Sequence, residues 1–163
     1  MGIVNVHERR FPVPAEKAGA LIDRLSAEED PLWPRGKWHS LRFDRPLGVG
    51  AAGGHGPIRY HVIAYVPGQW VRFRFDRPRG FDGIHEFTVL PEGGDTMLRH
   101  MAALRLHGGA RLAWPLMWGP MHDALLEDLL DRAEENLLGR VARPSRYSLW
   151  VRLLRNLPWR KRR

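Results

Sequence analysis

Two histidines, His85 and His100, stand fifteen positions apart on either side of the turn sequence Pro91-Glu92-Gly93-Gly94, each in step with apolar neighbours at a spacing of two. Imidazoles placed this way on adjoining strands can bind a ligand carbonyl or move a proton near neutral pH, where histidine titrates. If paired positions across the turn sum to 185, the two rings face each other. Tyr60 has the same parity as the apolar positions of an earlier segment. With a histidine as base, its hydroxyl can supply the donor that an aldol cyclisation needs at the enolate oxygen. The competing reading is two structural histidines hydrogen-bonded inside a sheet. His39, His61 and His122 are further candidates for the same interior.

Other chemistries lack their residues or their context. Gly48-Val49-Gly50-Ala51-Ala52-Gly53 fits the dinucleotide pattern G-x-G-x-x-G, but Gly53-Gly54-His55-Gly56-Pro57 follows where that motif requires a helix. The segment instead reads as a flexible connection between antiparallel strands, a bend or lid with His55 as its polar side chain. None of the serines, at 26, 40, 145 and 148, sits in a nucleophile elbow. The chain has no cysteine, so disulfides, zinc thiolates and thiol nucleophiles are all excluded. No histidine pair with helical spacing and neighbouring carboxylates stands out, and neither a metal site nor a cofactor is expected. Asp23 with Glu28, and Glu127-Asp128 with Asp131, read as solvated helix faces.

The elements that must position these residues can be read from periodicity. Residues 3–11 predict a first strand, and Pro14 suits the first turn of a helix carrying Ala18, Leu21, Ile22 and Leu25 on one face. Ser26 and Glu29 predict the cap of a second short helix before Asp30-Pro31. From Trp38 to His107 the period changes to two: His39, Leu41 and Phe43; then Tyr60, Val62 and Ala64; then Val71, Phe73 and Phe75; then His85, Phe87 and Val89; then Leu98 to Leu106. Short turns between these runs predict an antiparallel meander. A long amphipathic helix follows, with Met117, Met121, Leu125, Leu129, Ala133 and Leu137 as its apolar stripe. Gly119-Pro120 predicts a kink or a delayed start, and Gly139 a stop.

Length and composition place the chain with single globular domains: 163 residues, 44% hydrophobic, 27% charged, and no apolar run long enough to span a bilayer. The first residues, MGIVNVHERRF, lack the pattern of a secretory signal, so the cytoplasm is the expected compartment. The formal charge of +8 is unevenly distributed. Residues 1–139 hold 17 Lys and Arg against 18 Asp and Glu, whereas residues 140–163 hold nine basic residues and no acidic one. A body of such ordinary charge offers no broad nucleic-acid surface.

One strand, two short helices, a run of antiparallel strands and a long closing helix resemble the helix-grip fold of the START and polyketide cyclase-like superfamily (SRPBCC). Residues 58–107 look like that family's central hairpins, and WPLMWGPMHDALLEDLLDRAEENL like its C-terminal helix. The resemblance covers residues 3–139. It implies an α+β fold in which a curved antiparallel sheet wraps a long C-terminal helix around an apolar cavity. The lining it implies is Leu41, Phe43, Tyr60, Phe73, Phe75, His85, Phe87, Leu98 and His100 from the sheet, with Trp114, Trp118, Met121 and Leu125 from the helix. Binding or carriage of a hydrophobic small molecule (lipid, polyketide or isoprenoid-like) is the leading expectation. The alternative is a cyclase or aromatase in which His85, His100 and Tyr60 act on the ligand.

Residues 140–163 form a distinct basic tail appended to a domain of residues 1–139. Leu149, Trp150, Leu153, Leu154 and Leu157 share one helical face, Arg152 and Arg155 point away, and Trp159 with Arg160, Lys161, Arg162 and Arg163 ends the chain. A basic amphipathic helix with tryptophan anchors suits an anionic membrane surface, which makes peripheral membrane association an expectation. Packing on the body, contact with a protein or ribosomal partner, and contact with RNA are the competing readings.

Overall fold

The computed structural model describes residues 1–157. Seven strands form one antiparallel sheet in the order β1-β7-β6-β5-β4-β3-β2. They are β1 (Gly2–Phe11), β2 (Arg42–Phe43), β3 (Ala52–His55), β4 (Ile58–Val66), β5 (Trp70–Arg77), β6 (Phe81–Glu92) and β7 (Asp95–Leu106). Helix α1 (Ala15–Asp23) follows β1. After β7 the chain turns into α2 (Ala110–Ala113), a π-helical turn (Trp114–Trp118) and the long α3 (Gly119–Leu138), and α4 (Leu149–Asn156) closes the described residues. The main core lies between the inner sheet face and the buried sides of α1 and α3, where Phe11, Ile22, Val62, Phe73, Leu98 and Leu129 lose nearly all solvent contact.

Local chemistry accounts for the element ends. Pro14 caps α1 in an extended conformation, one position earlier than the first-turn site. Gly139 stops α3 at φ +74, with its N–H on the Glu135 carbonyl, as a left-handed C-terminal glycine does. The irregularity expected at Gly119-Pro120 falls just before it: the π-helical turn bends the helix without ending it. The β6–β7 hairpin closes through Gly93-Gly94, with Glu92 opposite Asp95, and Gly93 takes φ +67. Two-residue loops of this composition favour tight hairpins.

Several expectations are corrected. Residues 24–34 form turns rather than a second helix. Asp30 has drawn the backbone N–H groups of Ser26, Leu32 and Trp33 to its carboxylate, so they are not free to build a helical ladder. Of the strand expected from Trp38, only Arg42–Phe43 pairs, because Trp38 is turned to donate to Asp128. A bulge between Val62 and Ala64 puts Tyr65 rather than Ala64 against the core. The glycine-rich segment is itself partly strand: β3 pairs with β2 and β4, and a Cβ on Gly53 would lie 1.9 Å from the Arg42 carbonyl oxygen. Those glycines permit close backbone approach.

Candidate functional site

A cavity of about 100 Å³ lies between the inner face of the sheet and the helical segment 110–129. Strand alternation delivers its sheet wall. Tyr60 on β4, Phe73 and Phe75 on β5, Phe81, His85 and Phe87 on β6, and His100 on β7 all face inward. Trp114, Met117 and Trp118 of the π-helical turn, with Met121, His122 and Leu125 of α3, form the opposing wall. Trp33, Trp38, His39, Leu41 and His55 close one end. The lining is almost wholly carbon, and the polar groups on it are imidazoles, indoles and one phenol.

The histidines sit in an aromatic box. His85 stacks on Phe73 with centroids 4.7 Å apart, and meets Tyr60 edge-on at 4.5 Å. His100 packs against Phe87 at 4.7 Å. The hairpin register sums to 187, so His85 is opposite Ala102 and His100 opposite Phe87. The loop has two residues, and this sets the sum two higher than the direct-facing arrangement requires. The parity survives, and the rings meet diagonally, with His85 Nδ1 3.3 Å from His100 Nε2. One ring donates to the other, which leaves His85 Nε2 and His100 Nδ1 buried with no hydrogen-bond partner.

Burial decides the charge of these groups. It pushes the pKa values of His85 and His100 well below that of free histidine, and the neighbouring His122 adds to the effect. His55, tilted against the Trp33 ring with centroids 4.8 Å apart, is pushed down to about 3, again chiefly by burial. Burial likewise raises the Tyr60 phenol far above its usual range. At neutral pH His55, His85, His100 and Tyr60 are therefore uncharged.

A second polar cluster lies behind the cavity, where β1 meets α3. Three inward side chains of β1 are polar: Asn5 donates to Asp123, His7 lies between Glu127 (2.9 Å) and Asp123 (3.1 Å), and Arg9 donates to Asp131 and Glu134. Burial alone would lower the His7 pKa, but the two carboxylates outweigh it and raise the value. The acidic side of α3 is thus paired with β1, with Asp123 and Glu127 still partly exposed. Asp128 is fully buried and accepts from Lys37, Trp38 and Tyr147. Asp23, also expected in solvent, accepts from Tyr65 and the Gly68 N–H. His7, His122 and Asp123 bring possible metal-ligating atoms within 4.8 Å of one another. His7 already has a carboxylate on each nitrogen, the arrangement of an imidazolium in an ion-pair network.

No family model matches the chain, and no curated protein matches it in sequence. Solved structures do. A norcoclaurine synthase from Thalictrum flavum in complex with dopamine and hydroxybenzaldehyde is similar at a TM-score of 0.65 and 15% identity, over 88% of this chain and 90% of that one. TTHA0849 from Thermus thermophilus is similar at 0.60 and 20% identity, over 84% and 98%. CalU16 from Micromonospora echinospora is similar at 0.54 and 14% identity, over 85% and 86%. The chain has the helix-grip fold. At these identities the likeness speaks for architecture, and function has to come from the site.

Within the helix-grip cavity, Leu41, Tyr60, Phe73, Phe75, His85, Phe87, His100, Trp114, Trp118, Met121 and Leu125 line the space. Leu98 and Phe43, expected with them, do not. Leu98 is fully buried in the solid core, and Phe43 stacks behind Phe73 at 5.8 Å. Among the added histidine candidates His39 and His122 reach the cavity, whereas His61 pairs with Asp76 at 3.0 Å on the outer side. Trp33, Trp38, His55, Ile58, Phe81 and Met117 were not foreseen. Only Met117 and Phe81 carried a legible signal, as part of the helix stripe and as a strand start. Trp33 and Trp38 arrive from turns with no period, and His55 and Ile58 from the facing ends of β3 and β4.

The tail residues divide. Val151 and Leu154 of α4 are buried, and Arg155 lies over the Trp38 and Tyr147 rings at 4.4 and 4.5 Å while donating to the Lys37 carbonyl. Leu154 and Arg155 thus face the body, not the outside. Leu149, Trp150, Leu153, Leu157 and Arg152 are exposed. Trp159, Arg160, Lys161, Arg162 and Arg163 lie outside the described residues.

Proposed function

We propose that the protein binds a small apolar molecule carrying a ring and a hydrogen-bonding group, with the ring between Phe73, Phe75 and the helix wall and the polar group at the His85–His100 pair. The observation that carries this reading is the pair of unpartnered imidazole nitrogens, His85 Nε2 and His100 Nδ1, in an otherwise apolar cavity. An unpartnered buried nitrogen is costly until something pairs with it, and a ligand carbonyl or hydroxyl relieves that cost. A cavity of about 150 Å³ takes benzene, so at about 100 Å³ a substituted ring fits only if the lining yields a little. The dopamine and hydroxybenzaldehyde of the norcoclaurine synthase complex are ring compounds of the proposed class. A longer lipid, polyketide or isoprenoid-like ligand requires the 110–118 wall to move outward.

Carriage is favoured over catalysis by charge. A base with its pKa far below neutrality is weak, and a neutral imidazole is a poor acid. The cyclase-type reading keeps one observation in its favour, the contact of Tyr60 with His85 beside His100. Native mass spectrometry of the full chain, followed by calorimetry with a hydroxybenzaldehyde and with toluene, separates the possibilities. Binding of the aldehyde at least tenfold tighter than toluene, lost in His85→Leu with His100→Leu, is expected. Equal binding of both, or of neither, sinks the reading. Turnover of an aldehyde or ketone, abolished in the same variant, establishes the enzyme instead.

For the tail, we assign Val151, Leu154 and Arg155 to the fold, and the outward Leu149, Trp150 and Leu153 to a membrane surface.

A further inference from the structure

The outward tail residues do not stand alone. Leu112 of α2 and Leu116 of the π-helical turn are 71% and 60% exposed, and Leu149, Trp150 and Leu153 of α4 are 81%, 46% and 54% exposed. Trp150 joins the two groups, because its indole N–H donates to the Leu116 carbonyl at 2.8 Å. Leu112 and Leu116 are one turn apart, as are Leu149 and Leu153, so each element contributes a short apolar ridge. Ser148 caps α4 by accepting from the Val151 N–H, so the second ridge starts at a defined helix end.

We propose that these five side chains form one docking surface for an anionic lipid bilayer, built from the tail helix and the cavity's helical wall together. This rests on the membrane reading of the tail and extends it to residues outside the tail. The commitment to a bilayer comes from charge. Arg111 and Arg152 stand exposed on the same two segments, and neither residues 107–122 nor residues 140–163 contain a single Asp or Glu. Two copies of such a face would set arginine against arginine, which disfavours self-association. A lipid surface accepts both features, taking the leucines and the tryptophan into the interfacial layer while its headgroups meet the arginines. Trp114 and Trp118 of the same segment line the cavity, so docking would set the ligand's wall against the membrane.

Sedimentation of the full chain with vesicles tests this. With equal parts of phosphatidylcholine and phosphatidylglycerol the chain is expected to pellet, and with phosphatidylcholine alone, or at about 0.5 M salt, to stay largely in solution. Leu112→Glu with Leu116→Glu, and separately Leu149→Glu with Leu153→Glu, should each weaken partitioning on the order of tenfold or more, with unchanged circular dichroism. If only the second pair weakens binding, the tail reading stands and the composite surface is overturned. If the full chain ignores the anionic vesicles, both fall. A dimer by analytical ultracentrifugation that either pair dissolves, without vesicle binding, makes the face a self-interface and also overturns the proposal. Ligand calorimetry on the same variants is expected to be unchanged, which keeps this test apart from that of the cavity.

Discussion

At the level of single residues the molecule holds two kinds of buried polar group. Asp128 has its partners: Lys37, Trp38 and Tyr147 surround its carboxylate, and burial, with the Asp128 contact second, pushes the Tyr147 phenol up to about 12. His85 and His100 have only each other. The two sites should respond to mutation in opposite ways. Asp128→Ala leaves several donors facing a void and is expected to cost about 3 kcal/mol in urea denaturation, with faster proteolysis of residues 140–157. His85→Leu alone strands His100 and should cost about 2 kcal/mol. Adding His100→Leu should cost less than a second increment, because it removes the stranded group. A double variant destabilised by the full sum would mean that both nitrogens find partners in the folded state.

At the level of elements, the β2–β3–β4 corner depends on backbones closer than side chains allow. Gly53→Ala puts a methyl group into the Arg42 carbonyl, and overpacking of this kind is expected to cost about 2 kcal/mol. Hydrogen exchange should show the loss first in β2 and β3, and ligand affinity should fall because His55 and Ile58 at that corner line the cavity. Unchanged protection of β3 would show that the corner relaxes freely. Helix α3 is held in another way: Asn5, His7 and Arg9 on β1 meet its acidic side, so the seam between sheet edge and helix is polar while the cavity seam is apolar.

For the whole molecule, histidine burial sets a pH dependence. His55, His85, His100 and His122 all have folded pKa values below that of an unfolded histidine. As pH falls below about 6.5, the unfolded chain gains protons that the folded chain does not. Stability therefore drops, by up to about 1.4 kcal/mol per pH unit for each such group. His7 has the opposite sign: its raised value contributes stability that is present below about 6.5 and lost as pH rises through the folded pKa. Below pH 6.5 the His7 contribution is constant, so the four buried groups set the slope, and the melting temperature is expected to decrease steeply from pH 6.5 to pH 5. A flat profile would show that the cavity admits water and that these rings are not held neutral. Among the described residues no helix is long and apolar enough to cross a membrane.

Much of the architecture was legible from the chain. The period-two runs, the stripe from Met117 to Leu137 and the stop at Gly139 determine strands, long helix and boundary, because each follows from local geometry and from which face must leave water. Parity alone placed His85, His100 and Tyr60 on inward faces. Register, the second wall and the ion-pair seam were decided only by tertiary packing. Whether the pairs sum to 185 or 187 depends on one turn. Whether Trp33 and Trp38 line the cavity depends on how irregular turns pack. The acidic positions of α3, which periodicity alone reads as solvated, face Asn5, His7 and Arg9 from a strand more than a hundred residues away. Periodicity reports which side of an element is polar, but only the assembled fold determines whether that side meets water or a partner.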